Sequence, residues 1–205
     1  MDPARKRRVG VFSTLILVLL ALAGGSWWYW HSEQQKLPTV MPAPDFTLQN
    51  IDGGQTSLYG ERGKVRLVEF FFANCPDICP LTTSNMANVQ DQLKQKDLFG
   101  KQVEFLSISF DPERDTDQVL REYADRMRMD RSGWKVLRGT EAQTSQVADA
   151  YGVYLEKQAD GSWVHSTRSL YLVDADNQIR KVYNMGDEMS TDEVYRDILK
   201  LAREK

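Results

Sequence analysis

The chain has 205 residues, with 26 basic and 29 acidic side chains, a formal charge of −3, two cysteines and two histidines. That balance supplies no basic surface for nucleic acid, and two cysteines cannot build the multi-bridge framework of a small secreted scaffold. Sulfur chemistry is therefore confined to one place in the chain, Cys75 and Cys79.

In chain order, Arg5, Lys6, Arg7 and Arg8 precede an uncharged stretch from Val9 to Trp30, 22 residues long and sufficient to cross a hydrocarbon core of about 30 Å. The basic residues are expected to remain cytoplasmic, so the remainder faces outward. Trp27, Trp28, Tyr29 and Trp30 end the segment with aromatic side chains suited to a membrane interface, which favours a retained anchor. Ala21-Leu22-Ala23 also resembles a cleavage site after an apolar core, so a removed signal peptide is the competing reading. Without residues 1–30 the chain carries 22 basic and 28 acidic residues, a formal charge of −6. The expected organisation is a cytoplasmic basic stretch at 1–8, a transmembrane anchor at 9–30, a Pro-containing spacer at 31–44 punctuated by Pro38, Pro42 and Pro44, and one folded domain at 45–205.

Phe46 to Leu48 and Thr56 to Leu58 flank Asp52-Gly53-Gly54, a hairpin signature. Val65 to Phe72 reads as a buried strand, and helical periodicity begins after Pro80, with Met86, Val89 and Leu93 on one face. Val103 to Phe110 reads as the next strand, followed by Val119, Leu120, Tyr123 and Met127 at helical spacing. Thr140 with Gln143 forms a capping-box pair leading to Val147, Ala148 and Tyr151. Ser169 to Val173 and Ile179 to Tyr183 predict a hairpin around residues 174–177. A last helix starts at Ser190, with Glu193 as its capping partner, and buries Val194, Ile198 and Leu201. This order describes an α/β sandwich of the thioredoxin type.

The cysteines lie where a strand hands over to a helix. Backbone N–H groups and the positive end of the helix dipole favour thiolate there. Were both on one helical turn, their Cα atoms would be about 6 Å apart, compatible with a reversible disulfide or a two-thiolate metal clip. A purely structural disulfide is the plain alternative, but so short a loop stabilises little and a domain of this size needs no staple. Three residues, not two, separate the cysteines, and no proline follows Pro112, so the proline that thioredoxin-like oxidoreductases place opposite their cysteines has no counterpart. Its place is taken by a loop, Trp163 to Arg168, that carries His165. Two thiolates and an imidazole suit Cu(I), Cu(II) with a further ligand, or zinc with an open position. Met86, Met185 and Met189 are possible thioether ligands; Met86 lies on the apolar face of its helix and reads as core, and all three are left out of the set. Peroxidase chemistry is disfavoured because Phe72 stands three residues before Cys75, where peroxiredoxins carry Thr or Ser.

Three segments together, Cys75-Pro76-Asp77-Ile78-Cys79-Pro80, Ser109-Phe110-Asp111-Pro112-Glu113-Arg114-Asp115-Thr116, and His165 ahead of Tyr171-Leu172-Val173-Asp174, resemble the Sco/SenC proteins. The resemblance runs from about Pro44 to Lys200. It implies a membrane-tethered thioredoxin-fold copper protein that helps assemble the binuclear copper centre of cytochrome c oxidase subunit II, with Cys75, Cys79 and His165 as the copper ligands. A copper donor and a thiol reductant are the implied upstream partners. Asp111 matches a family aspartate, whose plainer role is a turn or helix-capping residue. The rival function is an extracytoplasmic thiol-disulfide oxidoreductase acting on the same oxidase subunit, which needs both cysteines but not His165. Enzymatic activity is expected only under that rival.

Overall fold

The computed structural model describes residues 36–204 apart from Thr167, together with positions 20, 22, 24, 25 and 27, which are helical. The basic stretch 1–8 and most of the segment 9–30, expected as an anchor, thus lie outside the described residues. Among the described residues, no helix is long and apolar enough to cross a membrane.

An eight-stranded mixed sheet organises the compact unit Leu37–Lys205. Its strands are β1 (Met41–Pro42), β2 (Thr47–Asn50), β3 (Gln55–Ser57), β4 (Val65–Phe71), β5 (Val103–Ser109), β6 (Trp134–Arg138), β9 (Ser169–Val173) and β10 (Gln178–Asn184). They run in the order β1-β10-β9-β4-β5-β6-β2-β3. β4, β5 and β6 are parallel, and β9 pairs antiparallel with β4. Parallel neighbours need crossovers. These are α1 (Ile78–Gln95) and α2 (Asp117–Arg126); α3 (Glu141–Ala150) follows β6, and α4 (Thr191–Arg203) closes the chain. A small second sheet, β7 (Leu155–Lys157) with β8 (Trp163–His165), forms a separate hairpin.

β4 lies at the centre of the sheet, and all seven of its residues are buried. Each large apolar side chain so buried contributes about 1.5–3 kcal/mol. Side chains alternate between the faces of a strand. Accordingly, Phe71 meets Tyr123 of α2 on one face, while Phe70 meets Tyr151 beyond α3 and Phe72 meets His165 on the other.

The helix starts follow the expected caps. Thr140 and Gln143 make both bonds of a capping box, and the Ser190 hydroxyl accepts from Glu193 N–H. α1 differs, beginning two residues before Pro80; a first-turn proline is compatible with a helix because N–H groups there have no intrahelical acceptor. The short strand β6 escapes the sequence pattern: only five residues long, it is defined by pairing with β5 and β2. Of the residues at helical spacing on α2, Val119 is exposed, the interior contacts falling to Leu120, Tyr123 and Ala124.

Part of the stretch read as spacer is built into the domain. Met41–Pro42 extends the sheet beside β10, Ala43 N–H donates to Asn177 O, and the Arg180 guanidinium holds the carbonyls of Leu37 and Pro38. Proline is tolerated there because β1 is an edge strand.

Candidate metal and redox site

β4 ends at Phe71, and Cys75 lies in the loop that follows, its N–H closing a turn onto Phe72 O at 3.2 Å. Cys79 is the second residue of α1. The two are therefore not on one helical turn, as the four-residue spacing suggested; the loop folds Cys75 back over the helix start. Both are free thiols and buried, Cys75 retaining 9% of its surface and Cys79 none.

The thiols are close enough to share a hydrogen bond, which chiefly lowers Cys75 to about 6. Burial opposes this, while backbone N–H groups of Asp77, Ile78 and Cys79 assist it. Asp77 heads α1 without a side-chain cap, so the Cys75 sulfur occupies the place of a helix-capping acceptor. Cys79 moves the other way: its hydrogen bond to Cys75, burial and the neighbouring negative charge all push it up. The metal-free site therefore favours one thiolate and one thiol.

The start of α1 is held from below. Thr82 Oγ1 donates to Ile78 O and accepts from Gly186 N–H, both at 2.8 Å, and Asn85 donates to Gly186 O at 3.0 Å. Gly186 has φ +73, and a Cβ there would stand 3.0 Å from Ile78 Cγ1. Glycine meets both demands.

His165 is on strand β8, not in the loop expected for residues 163–168. Alternation along β8 turns Trp163 and His165 inward, where Trp163 packs on Phe110 at 5.6 Å. The imidazole rests on Phe72 and Phe110, with ring centroids 5.7 and 5.6 Å away. Burial lowers its pKa, favouring the neutral ring that can bind a metal. Among the described residues, no three His, Cys, Asp or Glu side chains form a ready-made metal cluster. The structure brings the two thiols together and does not gather His165 into a cluster with them.

Of the two plain roles, turn or helix cap, Asp111 takes the turn, since Thr116 caps α2. The turn is made by its backbone carbonyl, which accepts from Arg114 and Asp115 N–H. Its buried carboxylate lies 3.5 Å from Arg114 Nε, and neither oxygen has a hydrogen-bond partner. Met86, Met185 and Met189 are buried in the core.

Sequence reasoning passed over two acids. Glu69, on the face of β4 that packs against Tyr123, is fully buried; Ser107 Oγ donates to its Oε1 at 2.5 Å while Oε2 has no hydrogen-bond partner. Asp115 accepts from Ser109 Oγ and from Ala73 N–H, in the cysteine loop. A charged residue inside a mostly apolar strand is the available signal for Glu69.

The SCO1/SenC family model matches residues 34–203. The chain belongs to the SCO1/SenC family. It is 29% identical to the SCO1 protein homolog of Bacillus subtilis over 192 residues, covering 92% of this chain and 94% of the relative. It spans less of some longer mitochondrial relatives, 58% in the case of Protein SCO2 of Saccharomyces cerevisiae. Among solved structures, BsSco, described with a disulfide switch and as a member of the Sco family of cytochrome c oxidase assembly proteins, matches with a TM-score of 0.70 and 29% identity, covering 84% of this chain and 99% of that one. Copper-bound ScoI of Arabidopsis thaliana matches with a TM-score of 0.66 and 30% identity, covering 80% and 99%. The architecture seen here is accordingly the thioredoxin-like fold of the Sco proteins.

Proposed function

We propose that this SCO1/SenC protein is a membrane-anchored extracytoplasmic copper metallochaperone for the binuclear copper centre of cytochrome c oxidase subunit II, with Cys75, Cys79 and His165 as copper ligands. The observation that carries this reading is the pair of free thiols that share a hydrogen bond, Cys79 at the start of α1 and Cys75 in the loop before it, three residues after Phe72, which supports His165. Soft sulfur donors with one neutral imidazole suit copper in either oxidation state. The copper-bound relative and the family's link to oxidase assembly point the same way. The anchor rests on the apolar segment 9–30 with its basic flank.

Copper is the cargo. Its binding displaces the proton that Cys79 retains, so occupancy rises with pH until both thiolates form. Oxidation of the copper-bound Cys75 and Cys79 thiolates to a disulfide, which passes two electrons to an oxidant, removes both anionic ligands and would free the metal. A thiol reductant restores the pair, and an upstream donor refills it. Confinement of carrier and acceptor to one membrane raises their effective concentration.

The second reading, thiol-disulfide exchange with the same subunit, is favoured by the lowered pKa of Cys75. The Cys75 thiolate would attack a target disulfide, and Cys79 would resolve the mixed disulfide, giving up its proton. Titration of the reduced, anaerobic full-length protein in detergent with Cu(I) and Cu(II), beside His165→Ala, separates the two. Tight one-to-one binding weakened by the substitution supports the chaperone. Weak binding, or binding indifferent to His165, supports the oxidoreductase.

A further inference from the structure

Asp115 retains 1% of its surface, a costly place for a carboxylate. Two donors meet it there. Ser109 Oγ donates to Oδ2 at 2.5 Å, and Ala73 N–H donates across both oxygens, at 3.1 Å to Oδ2 and 3.3 Å to Oδ1. Ser109 in turn accepts the Asp111 N–H at 3.3 Å. None of this serves to cap α2, since the Thr116 side chain accepts the Val119 N–H.

What the carboxylate joins is more telling. Ala73 lies between Phe72 and Cys75, and Ser109 immediately precedes Phe110. The rings of Phe72 and Phe110 lie 5.2 Å apart, and together they support His165. One buried side chain therefore ties the backbone segment that carries Cys75 and Phe72 to the segment that carries Phe110. We propose that Asp115 is a positioning residue: with Ser109 it latches the cysteine loop to the end of β5 and so sets where Cys75 and His165 stand relative to each other.

A carboxylate is suited to this role because both of its oxygens accept. Asparagine in its place would present an NH2 group toward either the Ser109 hydroxyl or the Ala73 N–H. Burial drives Asp115 up to about 6, against the opposing pull of these hydrogen bonds. The latch bears on copper only if the ligand set proposed above is right, whereas its hold on the Cys75 thiol does not depend on metal.

The test compares reduced full-length protein with Asp115→Asn and Ser109→Ala, with circular dichroism as the check of folding. Outer-shell substitutions of this kind weaken metal binding by about 10- to 100-fold. For Asp115→Asn we expect that loss in copper competition, a shifted thiolate-to-Cu(II) absorption band, and faster alkylation of Cys75 in the metal-free protein. Ser109→Ala, which spares the Ala73 bond, changes all three in the same direction and by less. Wild-type affinity, spectrum and alkylation rate in the folded variants would overturn the latch. If the wild-type protein itself binds no copper, the chaperone reading falls, and alkylation still decides: faster in the variants upholds the latch, unchanged overturns it. Should Asp115→Asn fail to fold, Ser109→Ala carries the same comparison.

Discussion

Glu69 tests how much the region around the thiols gives up for its chemistry. Burial raises this carboxyl from 4.5 to about 7, partly offset by the Ser107 hydrogen bond. Because its folded pKa lies above its unfolded value, its contribution is fully favourable only below pH 4.5 and is lost as pH rises through 7. A shift of about 2.5 units, at 1.36 kcal/mol each, costs the folded protein about 3 kcal/mol once the group is ionised, of which about 2.5 kcal/mol falls between pH 5 and pH 8. Glu69→Gln keeps an oxygen for Ser107 and removes the ionisation. Denaturant unfolding of both proteins, reduced and metal-free, at pH 5 and pH 8 should show the variant gaining about 2–3 kcal/mol on the wild type over that interval. The thiol pair titrates in both proteins, so the difference between them isolates Glu69. A stability gap that does not change with pH would refute the reasoning and mean that Glu69 has no raised pKa.

Two further expectations concern the start of α1. In the reduced, metal-free protein, alkylation of Cys75 should fall off on acidification with a midpoint near pH 6, as the thiolate stabilised by Cys79 and the helix-start N–H groups is protonated, while Cys79 reacts later; mass mapping against pH reads this directly. Gly186→Ala should lower stability by about 1–2 kcal/mol, seen as a reduced thermal midpoint, because φ +73 and the contact with Ile78 both disfavour a Cβ.

The sequence by itself determined the elements whose signal is local. Strand β4 announced itself as a mostly apolar run, α3 and α4 through their capping pairs, and the β2–β3 and β9–β10 hairpins through their turn residues. The two cysteines were equally legible, being the chain's only ones and lying at a strand-to-helix junction. What only the tertiary structure decided depends on partners distant in sequence. β6 exists because β5 and β2 accept its hydrogen bonds, and Met41–Pro42 becomes a strand because β10 offers an edge. His165 lies on a strand because β7 pairs with it, and Phe72 and Phe110 fix where its ring rests. The opposite shifts of Cys75 and Cys79 likewise follow from a loop folded back over a helix start, and the roles of Glu69 and Asp115 from burial and from donors on other strands and loops. Periodicity and capping are properties of neighbours in the chain, whereas hydrogen-bond partners, burial and charge depend on which segments meet in space.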